Sequence, residues 1–167
     1  MVYVVGIDLG TTNSVVAHLE GGRPQVIPNS EGSKTTPSVV HFREGEIIAG
    51  ELAKRQRLLA LELTIYSVKR FVGCRWDEVV ERMEGIEYRL AEGPDGMVAV
   101  KIGEDQLLPE QVQAETLKKM KDTAEQYLGQ EIAQAVITCP AYFKRQPVPG
   151  HQEGGGTGRP RSPAHHQ

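Results

Sequence analysis

The sequence predicts an α/β domain, and three segments support that prediction. Residues 2–7 form a β-branched and aromatic run, which is typical of a buried strand. Residues 109–128 carry apolar side chains at helical spacing, and residues 135–138 (A-V-I-T) again have the composition of a core strand. Strands on both sides of a long helix indicate a layered α/β architecture.

The composition is that of one globular domain, except at the C-terminal end. The chain has 167 residues, 39% of them hydrophobic and 25% charged, with a net charge of −3. This length suffices for one hydrophobic core. Residues 144–167 contain four Pro and five Gly but only Val148 and Ala164 as apolar residues, too few to offset the entropy of ordering. We therefore expect a folded body over residues 1–143 and a disordered tail over residues 144–167.

Several classes of protein are disfavoured by the composition. A mildly acidic chain is not typical of a nucleic-acid binder, and no run approaches the ~20 apolar residues of a membrane span. The N-terminus has neither a basic region nor a cleavage site of the kind found in signal peptides. Cys74 and Cys139 form no CxxC pair. We expect a cytoplasmic protein without nucleic-acid or membrane partners, and without a disulfide framework.

The N-terminal third predicts a series of short strands. Residues 2–7 are expected to be buried on both faces of a sheet, and residues 14–19 form the second strand. The link between them, residues 10–13, is too short for a parallel crossover, so the two strands must form an antiparallel hairpin. A third strand is expected at residues 25–27 after a Gly-rich turn.

The sequence pattern predicts both strands and helices in residues 38–71, and one well-defined helix in residues 109–128. Residues 38–42 and 47–49 are expected to be strands or loops, whereas residues 51–61 and 65–71 are expected to be helical. The long helix begins at Pro109, which suits a first turn, and stops before Gly129. Its predicted buried face consists of Val112, Leu117, Met120, Ala124 and Tyr127.

Residues 6–14, G-I-D-L-G-T-T-N-S, contain residue types suited to binding a phosphate and a metal ion. Asp8 ends a strand where a carboxylate can hold a hydrated Mg²⁺, and Gly10 lets the backbone approach a phosphate. Thr11 and Thr12 add hydroxyls, and consecutive turn amides make a nest for an anion. Neither GxxxxGK[ST] nor a helix-opening GxGxxG occurs. The alternative is a polar hairpin turn without a ligand.

This nine-residue string resembles the first phosphate loop of the seventy-kilodalton heat-shock chaperones of the DnaK type. Further segments resemble the same family in the same order: N-S-E-G at 29–32, T-T-P-S at 35–38, A-K-R-Q at 53–56, Y-S-V-K-R-F at 66–71, L-K-K-M at 117–120 and P-A-Y-F at 140–143. The resemblance implies an actin-like ATPase fold (ribonuclease H-like). It covers an incomplete first lobe of the nucleotide-binding domain, whose mixed sheet opens with antiparallel hairpins.

The resemblance also implies roles for individual residues. Gly10, Thr11, Thr12 and Asn13 match the turn that holds the ATP phosphates, and Asp8 matches the carboxylate that contacts Mg²⁺ through water. Lys69 matches the lysine that orients the attacking water and offsets charge on the γ-phosphate. Pro140 matches the proline that relays the nucleotide state to the substrate domain. The cofactors implied are ATP and Mg²⁺.

Three functional hypotheses remain open at this point. The chain is the N-terminal part of an ATP-dependent chaperone, whose partners would be unfolded peptide segments, a J-domain co-chaperone and a nucleotide-exchange factor. Alternatively, it is an inactive truncated product with at most weak binding of nucleotide or partners. The third hypothesis is another actin-fold protein, such as a filament former or a sugar kinase. The matches around Lys69 and Pro140 disfavour it.

The resemblance stops abruptly after Phe143, and a shifted reading frame accounts for this. With the frame moved forward by one nucleotide, codons for residues 154–161 permit A-G-A-L-A-G-L-E, and those for residues 162–166 permit V-L-R-I-I. The family sequence continues with nearly these residues. At one position the shifted codon excludes the Arg that is expected. The shifted codon derived from Glu153 permits only a basic residue, where the family usually has an acidic one. We interpret residues 144–167 as a frameshifted tail; the alternative is a lineage-specific disordered extension.

Overall fold

The computed structural model describes residues 3–138 as three small β-sheets joined by one long helix. The strands are β1 (Val4–Leu9), β2 (Asn13–Glu20), β3 (Arg23–Val26), β4 (Thr36–Pro37), β5 (Val39–Arg43), β6 (Glu46–Ala49), β7 (Thr64–Tyr66), β8 (Arg89–Glu92), β9 (Val98–Ile102), β10 (Asp105–Leu107) and β11 (Gln134–Thr138). The α-helices are α1 (Glu51–Gln56), α2 (Trp76–Val79) and α3 (Pro109–Leu128). Short 3-10 helices span Leu61–Leu63, Val68–Phe71, Val80–Arg82 and Pro94–Gly96. This confirms the predicted α/β class.

The first sheet contains the predicted hairpin. Its strand order is β11-β1-β2-β3, and β4 pairs with β2. Strands β1 and β2 are antiparallel, with Ile7 opposite Val16, and β11 lies parallel to β1 on the other side. The prediction that residues 2–7, 14–19 and 135–138 share one sheet is thus confirmed for the described residues 3–138. The third strand begins two residues earlier than expected, at Arg23.

One prediction for β1 is wrong, because the strand is buried on a single face. Val5, Ile7 and Leu9 are buried, whereas Val4, Gly6 and Asp8 are exposed. The buried side chains pack in one core with Met120 and Ala124 of α3. Within residues 3–138 the opposite face of β1 has no such layer, so burial alternates along the strand.

The remaining strands form two further antiparallel sheets, β6-β5-β7 and β10-β9-β8. Their buried side chains make a second core, which includes Val40, Phe71 and Val100. Helix α3 contributes Val112 to this second core and Met120 and Ala124 to the first. One helix therefore holds both cores together.

Helix α3 has the bounds that the sequence predicts. Its C-cap, Gly129, adopts a left-handed conformation (φ 68°), which favours glycine. Val112, Met120 and Ala124 are buried as expected, and Leu117 packs at the edge of the first core. The prediction that Tyr127 is buried is wrong: it is 55% exposed, and its ring meets the ring of His18 edge-on. No helix among residues 3–138 combines the length and the apolar character needed to cross a membrane.

Two predicted helices are largely wrong. The helix expected over residues 51–61 ends at Gln56, and beyond it Leu58 and Leu59 are 90% and 83% exposed. A further helical turn would bury no apolar side chain there. Helix propensity alone is too weak to extend the helix without such burial. Residues 65–71 begin as strand β7, in which Ile65 pairs with Val40, and only Val68–Phe71 is helical, as a 3-10 turn.

A buried histidine ties β5 to the chain that precedes Lys69. The Nδ1 atom of His41 lies 2.9 Å from the Thr64 hydroxyl, which itself donates to the Ala60 carbonyl at 2.8 Å. Because the hydroxyl proton is used there, His41 Nδ1–H donates to Thr64. Burial, together with the positive charge of Arg43, lowers the pKa of His41.

This histidine predicts a pH dependence of stability. Because the pKa of His41 is lower in the folded chain, the unfolded chain binds the proton more tightly near and below pH 6.5. The free energy of unfolding should therefore fall as the pH drops from 7.5 to 5.5, with a slope from this group of at most about 1.4 kcal/mol per pH unit. Urea unfolding followed by circular dichroism measures it.

His41→Gln removes the titrating group while keeping a polar side chain beside Thr64. The variant should show a shallower fall in stability between pH 7.5 and 5.5 than the unmodified chain. Equal slopes for the two proteins would contradict the prediction.

Candidate phosphate-binding site

The turn between β1 and β2 is tight enough to require glycine at its first position. A Cβ atom on Gly10 would lie 2.0 Å from the backbone carbonyl oxygen of Asn13, far inside van der Waals contact. Because the clashing atom belongs to the main chain, no change of side-chain rotamer can relieve the clash. The sequence predicted Gly10 for its close approach to a phosphate; the structure shows that closure of the turn itself already needs it.

Ser38 fixes this turn from the neighbouring chain segment. Its hydroxyl donates to the Gly10 carbonyl at 2.8 Å, and its backbone N–H donates to the Thr12 carbonyl at 2.9 Å. The Ser14 hydroxyl is 2.8 Å from Ser38 Oγ and, since the Ser38 proton is already used, it is the donor. Two carbonyls of the turn are thereby held pointing toward Ser38.

The same turn also contains backbone amides without a backbone partner in the described part of the chain. Among the described residues, neither the Thr11 nor the Thr12 amide donates a backbone hydrogen bond. Thr12 and Asn13 are exposed and Thr11 is half-buried. Consecutive unpaired N–H groups with hydroxyls beside them suit the oxygens of a phosphate.

The structure brings Lys69 next to this turn from 60 residues along the chain. Its ammonium donates to the carbonyl of Leu9, the last residue of β1. Lys69 lies in the 3-10 helix Val68–Phe71, and the side chains of Val68 and Phe71 anchor that helix in the second core. The backbone is thus fixed by burial while the charged end of the side chain reaches the turn.

Lys69 and the turn both line a small cavity. Its volume is about 10 Å³, close to the least that holds one water molecule. It is lined by Leu9, Gly10, Thr11, Ser38, Val40, Ile65, Val68, Lys69, Gln113 and Thr116. Polar groups from the turn, from the lysine and from α3 therefore surround a water-sized space.

Asp8 lies at the exposed end of β1, and its environment fits a hydrated cation. The Thr138 hydroxyl of β11 donates to Asp8 Oδ1 at 2.8 Å, which orients the carboxylate. Its other oxygen faces no hydrogen-bond donor within residues 3–138. No cluster of three or more metal-ligating side chains occurs among these residues. Mg²⁺ commonly keeps several waters and takes only one or two carboxylates, so a single aspartate is compatible with it.

Several residues of the site were not singled out from the sequence. Ser38 lies in a segment that was matched by resemblance, but its hydroxyl contact with Gly10 spans 28 positions and has no local signal. The same holds for Thr138, which contacts Asp8 from 130 positions away, and for Gln113 and Thr116 of α3. Pro140 and the tail of residues 144–167 lie outside the described residues.

Comparison with known proteins places the chain among relatives of one family. The family model described as Hsp70 protein matches residues 4–148. The chaperone protein DnaK of Deinococcus radiodurans is 52% identical over 143 residues, which are 86% of this chain and 23% of that protein. The chaperone protein DnaK of Thermus thermophilus is 50% identical over the same share of both chains. The chain thus spans less than a quarter of the length of these curated relatives.

The closure of the turn at Gly10 gives a direct test. Gly10→Ala should lower the free energy of unfolding by about 1–3 kcal/mol, because the new methyl group overlaps a main-chain oxygen. Gly6→Ala is the matched control: Gly6 lies four residues earlier, in β1, and a Cβ there meets no atom within 4 Å. That variant should stay within about 0.5 kcal/mol of the unmodified chain. Urea unfolding of the two variants compares them, and similar losses in both would refute the argument.

Proposed function

The chain belongs to the Hsp70 family, and on that premise we propose that it is the N-terminal part of an ATP-dependent DnaK-type chaperone. The ATPase domain of this family has the actin-like fold, and the mixed sheet of parallel and antiparallel strands agrees with part of its first lobe. The observation that supports the function best is the contact of the Lys69 ammonium with the Leu9 carbonyl. A cation beside the turn of residues 10–13 supports the proposal that this turn binds an anion.

We propose that residues 10–13 hold the phosphates of ATP. The amides of Thr11 and Thr12 bind phosphate oxygens, and the Ser38 hydroxyl keeps the Gly10 carbonyl turned away from them. This arrangement avoids repulsion between a carbonyl oxygen and a phosphate. Asn13, at the exposed start of β2, lies at the other end of the turn.

Asp8 and Lys69 would supply the charges that phosphoryl transfer needs. Asp8 binds the water shell of Mg²⁺, which when bound neutralises charge on the phosphates. Lys69 orients a water molecule and stabilises the negative charge that grows on the transferred group. The cavity between Lys69 and the turn has room for about one water molecule, which supports that role.

The remaining proposals come from the family. Unfolded peptide segments, a J-domain co-chaperone and a nucleotide-exchange factor are the proposed partners of the whole protein, and its proposed location is the cytoplasm. Pro140 is proposed to pass the nucleotide state from the ATP site to a peptide-binding domain. The sheet that carries Asp8 continues into the segment just before Pro140, which gives that route a physical start.

A second proposal concerns the chain as it is written: it binds nucleotide weakly at most and does not hydrolyse it. Phosphoryl transfer relies on positioned groups in a site closed to bulk water. Thr12, Asn13 and Asp8 are all exposed, so the described residues form one open wall of such a site. We further propose a frameshift near Phe143 as the origin of residues 144–167.

The activity test compares two proteins. The 167-residue chain should show no Mg²⁺-dependent ATP hydrolysis above background, and the product of a gene with the frame restored after Phe143 should show it. In the restored protein, Lys69→Ala should lower the rate by about 10²–10³-fold, the usual effect of removing a charge-stabilising group. Lys118→Ala on α3, whose ammonium pairs with Glu115, is the control and should leave the rate unchanged. ATP hydrolysis by the 167-residue chain itself would contradict the proposal that this chain is inactive.

The frameshift has its own test, independent of activity. Resequencing the codons for residues 143–167 and the DNA that follows should reveal an open frame, displaced by one nucleotide, that encodes the continuation of the family. An unaltered frame followed directly by a stop, with no family sequence in the other frames, would favour a lineage-specific tail instead.

A further inference from the structure

A second pocket lies on the β8–β9–β10 sheet, and none of its residues belongs to the phosphate site. Its volume is about 380 Å³, and it is lined by Met83, Ile86, Tyr88, Arg89, Leu90 and Lys101. Met83, Ile86 and Leu90 are half-buried, which gives the pocket apolar walls. Two cations, Arg89 and Lys101, complete the lining.

Hydrogen bonds hold the walls of this pocket in place. The Tyr66 hydroxyl donates to the Gly85 carbonyl at 3.1 Å and accepts the Glu87 N–H at 3.2 Å, which fixes the segment between Met83 and β8. The Tyr88 hydroxyl donates to the Tyr66 carbonyl at 2.8 Å. The pocket is therefore formed before any ligand arrives, and binding does not have to order it.

Of the two cations in this pocket, Arg89 has an acidic partner within residues 3–138 and Lys101 has none. Arg89 of β8 and Lys101 of β9 stand directly opposite each other in the antiparallel register, where like charges repel. The Arg89 guanidinium is neutralised by Glu62 at 2.9 Å. Lys101 is a half-buried residue, and residues 3–138 provide its ammonium with neither an ion pair nor a hydrogen bond. One positive charge in the pocket is thus unbalanced.

We propose that this pocket binds an acidic peptide segment of a partner protein. A carboxylate pairs with Lys101, and a neighbouring apolar side chain packs against Met83 and Ile86. An inorganic anion would satisfy the charge but leave the apolar walls exposed and most of the volume empty. In addition, β8 is the last strand of its sheet in the described chain, so an extended peptide can run along its edge. The proposal does not depend on nucleotide binding.

The test uses the 167-residue chain without nucleotide and a defined probe. The probe is the fluorescein-labelled peptide Gly-Glu-Leu-Asp-Phe-Glu, and its neutral counterpart is Gly-Gln-Leu-Asn-Phe-Gln. Fluorescence anisotropy should show saturable binding of the acidic peptide and about tenfold weaker binding of the neutral one. Lys101→Gln should weaken binding of the acidic peptide by about tenfold, and Lys101→Arg should retain it.

Lys118→Gln is the matched control, because it removes a lysine that lies on α3, outside the pocket. It should bind the probe like the unmodified chain. Absence of saturable binding, equal binding of the neutral peptide, or an equal loss in Lys118→Gln would overturn the proposal. Full displacement of the peptide by millimolar acetate or phosphate would identify a small-anion site instead, and would also overturn it. Because the comparison of the two peptides uses the unmodified chain, its outcome does not depend on whether a variant folds.

Discussion

The rest of the structure depends on the burial of helix α3 between two hydrophobic cores. Its N-terminal half packs into the core of the β5 and β9 sheets through Val112, and its C-terminal half packs onto β1 and β2 through Met120 and Ala124. The cores contain the chain segments that carry Lys69 and the phosphate turn, respectively. Because protein interiors are close-packed, this single rigid helix sets the distance between the lysine and the turn.

Polar contacts complete what the helix positions. A turn of three residues between two strands has carbonyls as well as amides to satisfy, and Ser38 satisfies the carbonyls of Gly10 and Thr12. The amides are then left for an external anion. A preorganised set of donors of this kind binds and stabilises negative charge without reorganisation, which is the physical basis of the proposed ATP site.

Strand β11 is an edge strand of the first sheet within residues 3–138, and its five residues are all exposed. Among the described residues it pairs only with β1, and its Val136 residue is 66% exposed. Beside it, a groove of about 390 Å³ runs between β11 and α3, lined mainly by apolar side chains that include Val5, Leu117 and Ile132. Elements with little buried apolar contact open at low free-energy cost. The Thr138 contact with Asp8 is therefore carried by an edge strand with no buried residue.

Local signals in the chain were enough to define some of its elements. The β1–β2 hairpin follows from its short link, and α3 follows from its periodicity, Pro109 and Gly129. The residues of the phosphate turn stood out by chemistry and by resemblance. In contrast, the strand at Thr64–Tyr66 and the end of α1 at Gln56 could not be predicted in this way, because pairing with β5 and lack of burial determine them.

Tertiary packing alone places Lys69, Ser38 and Thr138 around the phosphate turn. Lys69 lies in a 3-10 helix, Ser38 between β4 and β5, and Thr138 in β11. Each reaches the turn or the strand before it from a distant part of the chain. Contacts across 28 to 130 positions leave no periodic trace in the sequence, since they arise only when separate elements pack on a common core.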